Sequence, residues 1–176
     1  MRFWYAKSSK AKGIVDLIIR DACAEDCQAA LQVARAFHRE SNFKDVPFSD
    51  KKVLSLFEWA IQSPNHIFLI FEEGGEIIGG FIAYLDYFYF SDAVVASDLA
   101  LFVLQEKRGK VPMKKVLGIY RKWAAGRGAL RINIAPSTGI NTDRVSRLFE
   151  LLGFEQTGAN FAYFPQNSNV LKGSEA

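Results

Sequence analysis

At 176 residues the chain suits one domain and can bury a real core without help from metal or disulfides. Its apolar share of 49% and charged share of 23% are ordinary for a soluble globular protein. The net charge of +3 implies a mildly basic face and is too small to argue for nucleic acid on its own.

Residues 1–13 read as a flexible basic leader, whose apolar start at Phe3-Trp4-Tyr5 is too short for a secretory signal. Asp16–Asp21 reads as a first strand. Over 24–40, Cys27, Leu31, Ala34 and Phe37 recur at three- and four-residue steps, which predicts a helix. Pro47-Phe48-Ser49 breaks the chain, and Ser49 suits the N-cap of a second helix with Val53, Phe57 and Ala60 on its stripe. Ser63-Pro64-Asn65 ends that helix.

Strands follow. His66–Phe71 is a continuous apolar run, as expected of a strand covered on both faces. Gly74 and Gly75 predict a tight turn with positive φ, and Ile77–Leu85 the return strand. The aromatic connection Asp86–Asp92 leads to a strand ending at Val103. Met113, Val116, Leu117, Tyr120 and Ala124 mark one face of a third helix, stopped by Gly126 and Gly128. Ala129–Ala135 alternates as a strand. Val145, Leu148, Phe149 and Leu152 form a helical stripe that Gly153 closes. Phe154 and Asn160–Phe164 suggest a final short hairpin, and 166–176 a flexible tail. No internal repeat or low-complexity tract is present.

Cys23 and Cys27 lie one helical turn apart and are expected to be small core residues. With His38 and His66 isolated, neither a zinc set nor a disulfide framework is implied, and a cytoplasmic setting is the default. The most apolar window, Ala93–Leu104, is broken by Ser97 and Asp98 and is too short to span a bilayer.

Two stretches carry chemistry. Leu99–Val103 runs into Leu104-Gln-Glu-Lys-Arg-Gly-Lys-Val-Pro-Met-Lys-Lys, a strand, a basic glycine-containing turn and a helix start. Free backbone N–H groups and the helix dipole there favour an anion. Lys107, Arg108, Lys110, Lys114 and Lys115 add charge suited to a phosphate-rich ligand. An ordinary solvated turn opened by Pro112 is the alternative. The second stretch, Asn141–Phe154, places an Asn before a helix that carries Leu148-Phe149 and ends in Gly153-Phe154. Simple capping by Asn141 or Thr142 also explains it.

Together these stretches resemble the GNAT family of acyl-CoA-dependent N-acetyltransferases. Val103, Arg108 and Gly109 match the family pattern Val-x-x-x-x-Arg-Gly-x-Gly-x-Gly/Ala; Val111 stands where a family glycine belongs, Pro112 follows, and Met113 replaces the Gly/Ala. The resemblance implies an α+β GNAT fold over residues 14–165. Its sheet is mixed but mostly antiparallel and flanked by helices, in the order β-α-α-β-β-β-α-β-α-β(-β). It also implies acetyl-CoA as co-substrate. Its phosphates are expected on the turn of Arg108, Gly109, Lys110, Val111, Met113 and Lys114. Its thioester is expected near a backbone donor at Phe102 or Val103, and its pantetheine arm near Asn141 and Phe149.

The family tyrosine is Phe149 here, and phenylalanine donates no proton. Tyr163 or Tyr120, or water, would have to serve as the acid. Asp98 is the candidate base, and a solvated strand-start carboxylate is its plainer role. Three functions follow, in order: an N-acetyltransferase acting on an amine (small molecule, peptide or protein lysine), a GNAT-fold binding module without chemistry, and a nucleic-acid-modifying member of the fold. The aromatic loop Asp86–Asp92 is a candidate lining for the acceptor or a contact in a homodimer. No membrane partner is expected.

Overall fold

A computed structural model describes residues 16–162. The leader, the tail and Tyr163 lie outside these residues. The elements in chain order are β1 (Leu17–Asp21), α1 (Cys27–Glu40), α2 (Asp50–Gln62), β2 (His66–Glu73), β3 (Glu76–Tyr87), β4 (Val94–Val103), α3 (Met113–Ala125), β5 (Arg131–Asn133) and α4 (Thr142–Leu151). The sheet runs β1-β2-β3-β4-β5, antiparallel throughout except for the parallel β4–β5 pair. No helix among the described residues is long and apolar enough to cross a membrane.

Helices cover both faces, and the strands read accordingly. In β2, Ile67, Leu69 and Phe71 pack with Val116, Leu117 and Tyr120 of α3 and Phe149 of α4. The intervening Phe68 and Ile70 pack with Ala30 and Leu31 of α1 and Phe57 and Ala60 of α2. A period-two backbone serving two cores therefore needs apolar residues at every position, which is the unbroken run seen in the sequence. Ser49 caps α2 as expected, its hydroxyl accepting from Lys52 N–H at 3.4 Å. Gly74 and Gly75, at φ +64° and +87°, make the β2–β3 turn.

Several local expectations are corrected. The helix expected over 24–40 opens as a 3-10 turn, Ala24–Asp26, because the Asp26 carboxylate folds back to accept from Cys23 N–H at 2.8 Å. Cys23 is consequently exposed, and only Cys27 joins the core. The strand expected over 129–135 keeps only Arg131–Asn133, since its partner strand diverges beyond that point. No strand follows α4 among the described residues, and 154–162 run without regular pairing.

Two features set the middle of the sheet. Gly79 and Gly80 of β3 let aromatic rings from both neighbours lie over the strand. A Cβ at Gly79 would stand 2.5 Å from the Phe102 carbonyl oxygen, and one at Gly80 2.7 Å from the Phe102 ring. The β3–β4 register then slips, so that Ile82 faces Ala100 while Ala83 faces Asp98. Leu99 is the extra residue of a bulge. Before it Ala96 faces the α3 side; after it Leu101 and Val103 do, so the bulge reverses the alternation of β4.

Besides its pairing with β4, β5 is tied to α3 by one buried hydroxyl. Tyr120 is fully buried on α3, and its OH donates to the Asn133 carbonyl at 2.9 Å. Tyr120→Phe leaves that carbonyl without its donor and is expected to cost about 1–2 kcal/mol, or about 3–6 °C in Tm, by thermal unfolding. Gly79→Ala is expected to cost about 2 kcal/mol or more by urea unfolding, because the methyl meets backbone rather than a movable side chain.

Candidate active site

The parallel pairing of β4 with β5 runs from Val95–Arg131 to Ser97–Asn133 and stops at the bulge. Beyond it the strands fork. The Leu104 N–H donates to Ile78 O at 2.9 Å, and residues of a strand alternate sides. Hydrogen bonds to β3 are thus made by Leu104, Phe102 and Ala100, which leaves the N–H and C=O of Leu101 and Val103 pointing into the fork. Phe102, expected beside Val103 as a possible donor, turns its N–H to β3 and stacks its ring on Phe57 (centroids 6.0 Å). Val103, not Phe102, offers the free donor, and Leu101 adds a second that the sequence reading did not single out.

The turn at the C-terminal end of β4 also carries uncommitted donors. Among the described residues, the backbone N–H groups of Gly109, Val111 and Lys114 meet no acceptor, whereas those of Arg108, Lys110 and Met113 are used within the turn itself. Gly109 holds φ +86°, which turns the peptide as a cradle requires. The side chains that replace family glycines stay out of this space. Val111 is buried in the α3-side core, and Met113 packs against the same core.

The basic side chains are mostly spoken for. Lys107 pairs with Glu73, which also sits 3.6 Å from Lys110. The hydrogen bond from Lys107, helped by the charge of both lysines, holds the Glu73 carboxyl below the usual glutamate range. Arg108 pairs with Glu40 at 2.8 Å and lies over the Phe37 ring, so it ties the turn to α1. Lys114 and Lys115, exposed at the start of α3, make no ion pair among the described residues.

At the fork itself sits Asp98. Its Oδ1 accepts from Ala135 N–H at 3.1 Å, bridging the diverging strands. Burial pushes its pKa up to about 6, against the opposing pull of hydrogen bonds from Ala135 and its own backbone. Nearby, the Asn133 amide donates to Ser97 Oγ at 3.2 Å and accepts from Arg131 at 2.8 Å, a polar chain across the last paired rung.

The remaining candidates fall as follows. Asn141 takes the N-cap position of α4 in a left-handed conformation, φ +50°, with its side chain free of any capping bond. Phe149 is a buried core residue beside Phe154. Tyr120, a candidate acid, is buried and committed to Asn133, and burial raises its hydroxyl above the ordinary tyrosine range. Tyr87, Tyr89 and Phe90 are largely exposed at the far end of β3. No group of three or more metal-ligating side chains occurs among the described residues. A separate groove of about 610 Å³ is lined by Arg20, Glu25, Asp26 and Glu72, but Arg20 is already bound by Asp26 (2.6 and 2.8 Å) and Glu72 (2.9 Å).

Comparison with known proteins agrees with this geometry. The model of the acetyltransferase (GNAT) family matches residues 26–154. No curated protein sequence matches the chain significantly. Among solved structures, the aminoglycoside N-acetyltransferase AAC(6′)-Iy in complex with CoA is similar, with a TM-score of 0.68 at 18% identity over 89% of this chain and 99% of that one. Glucosamine-6-phosphate N-acetyltransferase from Arabidopsis thaliana gives 0.65 at 14% identity, over 85% and 98%. The aminoglycoside 6′-N-acetyltransferase AAC(6′)-Ih from Acinetobacter baumannii gives 0.64 at 17%, over 86% and 99%. At such identities the structural likeness speaks for the fold, while the sequence match spans most of the chain, and by that match the chain belongs to the acetyltransferase (GNAT) family.

Proposed function

We propose that the fork between β4 and β5 is where this chain transfers an acetyl group from acetyl-CoA to an amine. The observation that carries this reading is the row of uncommitted backbone donors: Leu101 and Val103 along the open strand edge, then Gly109, Val111 and Lys114 at its end. Unsatisfied N–H groups in such a row suit an extended ligand that has acceptors along its arm and phosphates at one end. Lys114 and Lys115 add positive charge where the phosphates would lie. The inward turn of Val111 and Met113 removes the steric objection to their replacing smaller residues.

Acetyl-CoA, when bound, supplies an acyl thioester whose carbonyl carbon is open to attack by an amine. The chain's part is mostly placement and charge. The Val103 or Leu101 N–H, aimed into the fork, stabilises negative charge that develops on the carbonyl oxygen. Asp98, at the fork's vertex, takes the proton from the incoming ammonium; a carboxyl raised to about 6 is a better base than an ordinary aspartate and is still ionised at neutral pH. As the C–N bond forms and the C–S bond breaks, the attacking nitrogen would shed its second proton to solvent. Phe149 has no proton for the departing sulfur and Tyr120 is occupied, so the thiolate would take one from Tyr163 or from solvent. The acceptor is an amine, and the neighbours' aminoglycosides and amino sugar phosphate make polyamino and amino sugars the first class to screen.

Acetyl-CoA at about 100 times its Kd is expected to stabilise the fold by about 2.7 kcal/mol in thermal unfolding. No shift at millimolar acetyl-CoA overturns the reading and leaves a binding module without CoA. Asp98→Asn is expected to lower kcat/KM by about 100-fold or more and to abolish the limb of the pH–rate profile that rises through about pH 6. The sign for stability is the opposite of a salt-bridged carboxylate's. Because folding raises this pKa, its cost is complete above pH 6 and is relieved as the pH falls toward the ordinary aspartate value. The Asn variant is expected to lose that dependence.

A further inference from the structure

The end of α1 touches both walls of the fork. On the strand side, Arg108 from the turn after β4 pairs with Glu40 at 2.8 Å and lies over Phe37, 5.7 Å from its ring centroid. On the other side, Asn42 reaches the segment between β5 and α4 twice. Its backbone N–H donates to Thr138 O at 2.9 Å, and its Nδ2 donates to Ser137 O at 3.2 Å. Between these attachments the chain is stiff. Ser41 is buried, its hydroxyl donating to His38 O at 2.9 Å and accepting from Phe43 N–H at 3.1 Å.

The segment that Asn42 grips has little else to hold it. Ala135, at its start, is bonded to Asp98. Among the described residues, no backbone hydrogen bond joins 136–140 to β4. Its distance from the open edge at Leu101 and Val103 is therefore set by Asp98 at one end and by Asn42 at the other. Close packing supports the grip. Gly139 is at φ +72°, and a Cβ there would lie 3.3 Å from the Asn42 Cβ, tight enough that one of the two must give.

Resting on the acetyl-CoA reading above, the geometry points to Asn42 as a positioning residue. With Glu40 and Arg108 it makes the end of α1 a brace that sets the width of the channel between β4 and the 136–140 wall. The arm of CoA that carries the thioester would lie in that channel, while the phosphates would lie on the turn outside it. The Glu40–Arg108 half of the brace holds the turn, whereas the Asn42 half bonds only to the wall, at 137 and 138, and so acts on the arm and not on the phosphates. It places the wall, and with it Asn141, at the separation at which an extended chain can hydrogen-bond to both sides at once.

The test compares two probes on the whole chain, CoA and adenosine diphosphate, by isothermal titration. Asn42→Ala keeps the backbone bond and removes the side-chain one. It is expected to weaken CoA about tenfold, with adenosine diphosphate changed less than about twofold. KM for acetyl-CoA is expected to rise more than kcat falls. Gly139→Ala, which presses on the same contact from the opposite side, is expected to give the same signature. CoA affinity like wild type in both variants overturns the brace, as does parallel weakening of both probes, which marks a general loss of structure. Failure of the unaltered chain to bind CoA overturns the cofactor reading and the brace together, so the two failures are told apart by the wild-type titration.

Discussion

A strand that buries both faces cannot take an extra residue without turning its alternation over, and at Leu99 this chain does so. Ala96 lies against α3 before the bulge, and Leu101 and Val103 do after it, so both halves of β4 stay in the core. β5 follows only the first half. Its pairing ends at Ser97–Asn133, one residue before Asp98. The proposed site is arranged around the opening that results: the free edge of β4, the carboxylate at the vertex and the turn at the far end.

The turn shows how a motif can keep its physics after losing its residues. Glycines in such turns let backbone approach a phosphate closely. Here Val111 and Met113 reach the same end by pointing inward, where they add to the core, and their N–H groups differ in use: Val111's is free, while Met113's is bonded to Val111 O. Pro112 lacks an N–H but sits just before α3, where none is needed. The side-chain cations, by contrast, are largely internal. Glu73 and Glu40 neutralise Lys107 and Arg108, so in the proposed cofactor reading the phosphates are left to the backbone donors and to Lys114 and Lys115.

The fork also explains the odd electrostatics of Asp98. A strand residue at a bulge is neither wholly in the core nor wholly in solvent, and among the described residues no cation pairs with it. It has only backbone donors, Ala135 and its own N–H, and a raised pKa. A protein optimised for stability alone would not leave a carboxylate so placed. Tyr120 has the contrary fate. Its hydroxyl, chemically capable of acid catalysis, is spent on the carbonyl of Asn133 and keeps β5 on the sheet up to the point of divergence.

Much of this was legible in the sequence, and the line between what was and what was not has a physical cause. Periodicity is local, so the unbroken run in β2, the stripes of α2 and α3, the Gly74-Gly75 turn and the strand-turn-helix at 99–117 could all be read from neighbours in the chain. The basic turn as an anion site followed from the same local order, whereas the roles of Val103 and Asp98 came with the family resemblance. Non-local geometry could not be read. The register slip at Leu99 depends on what β3 places opposite. The free N–H groups of Leu101 and Val103 depend on where β5 departs. The inward turn of Val111 depends on a core built by α3, and the burial of Phe149 and Tyr120 on the elements packed over them. Asn42 carried no signal at all, because its meaning is a contact with Thr138, far along the chain and joined to it only by the folded structure. Local pattern is enough to read most of the elements, and the motifs they carry to read the family; which donors stay free is a matter of packing, because a hydrogen-bonding group is available only where its neighbours have left it without a partner.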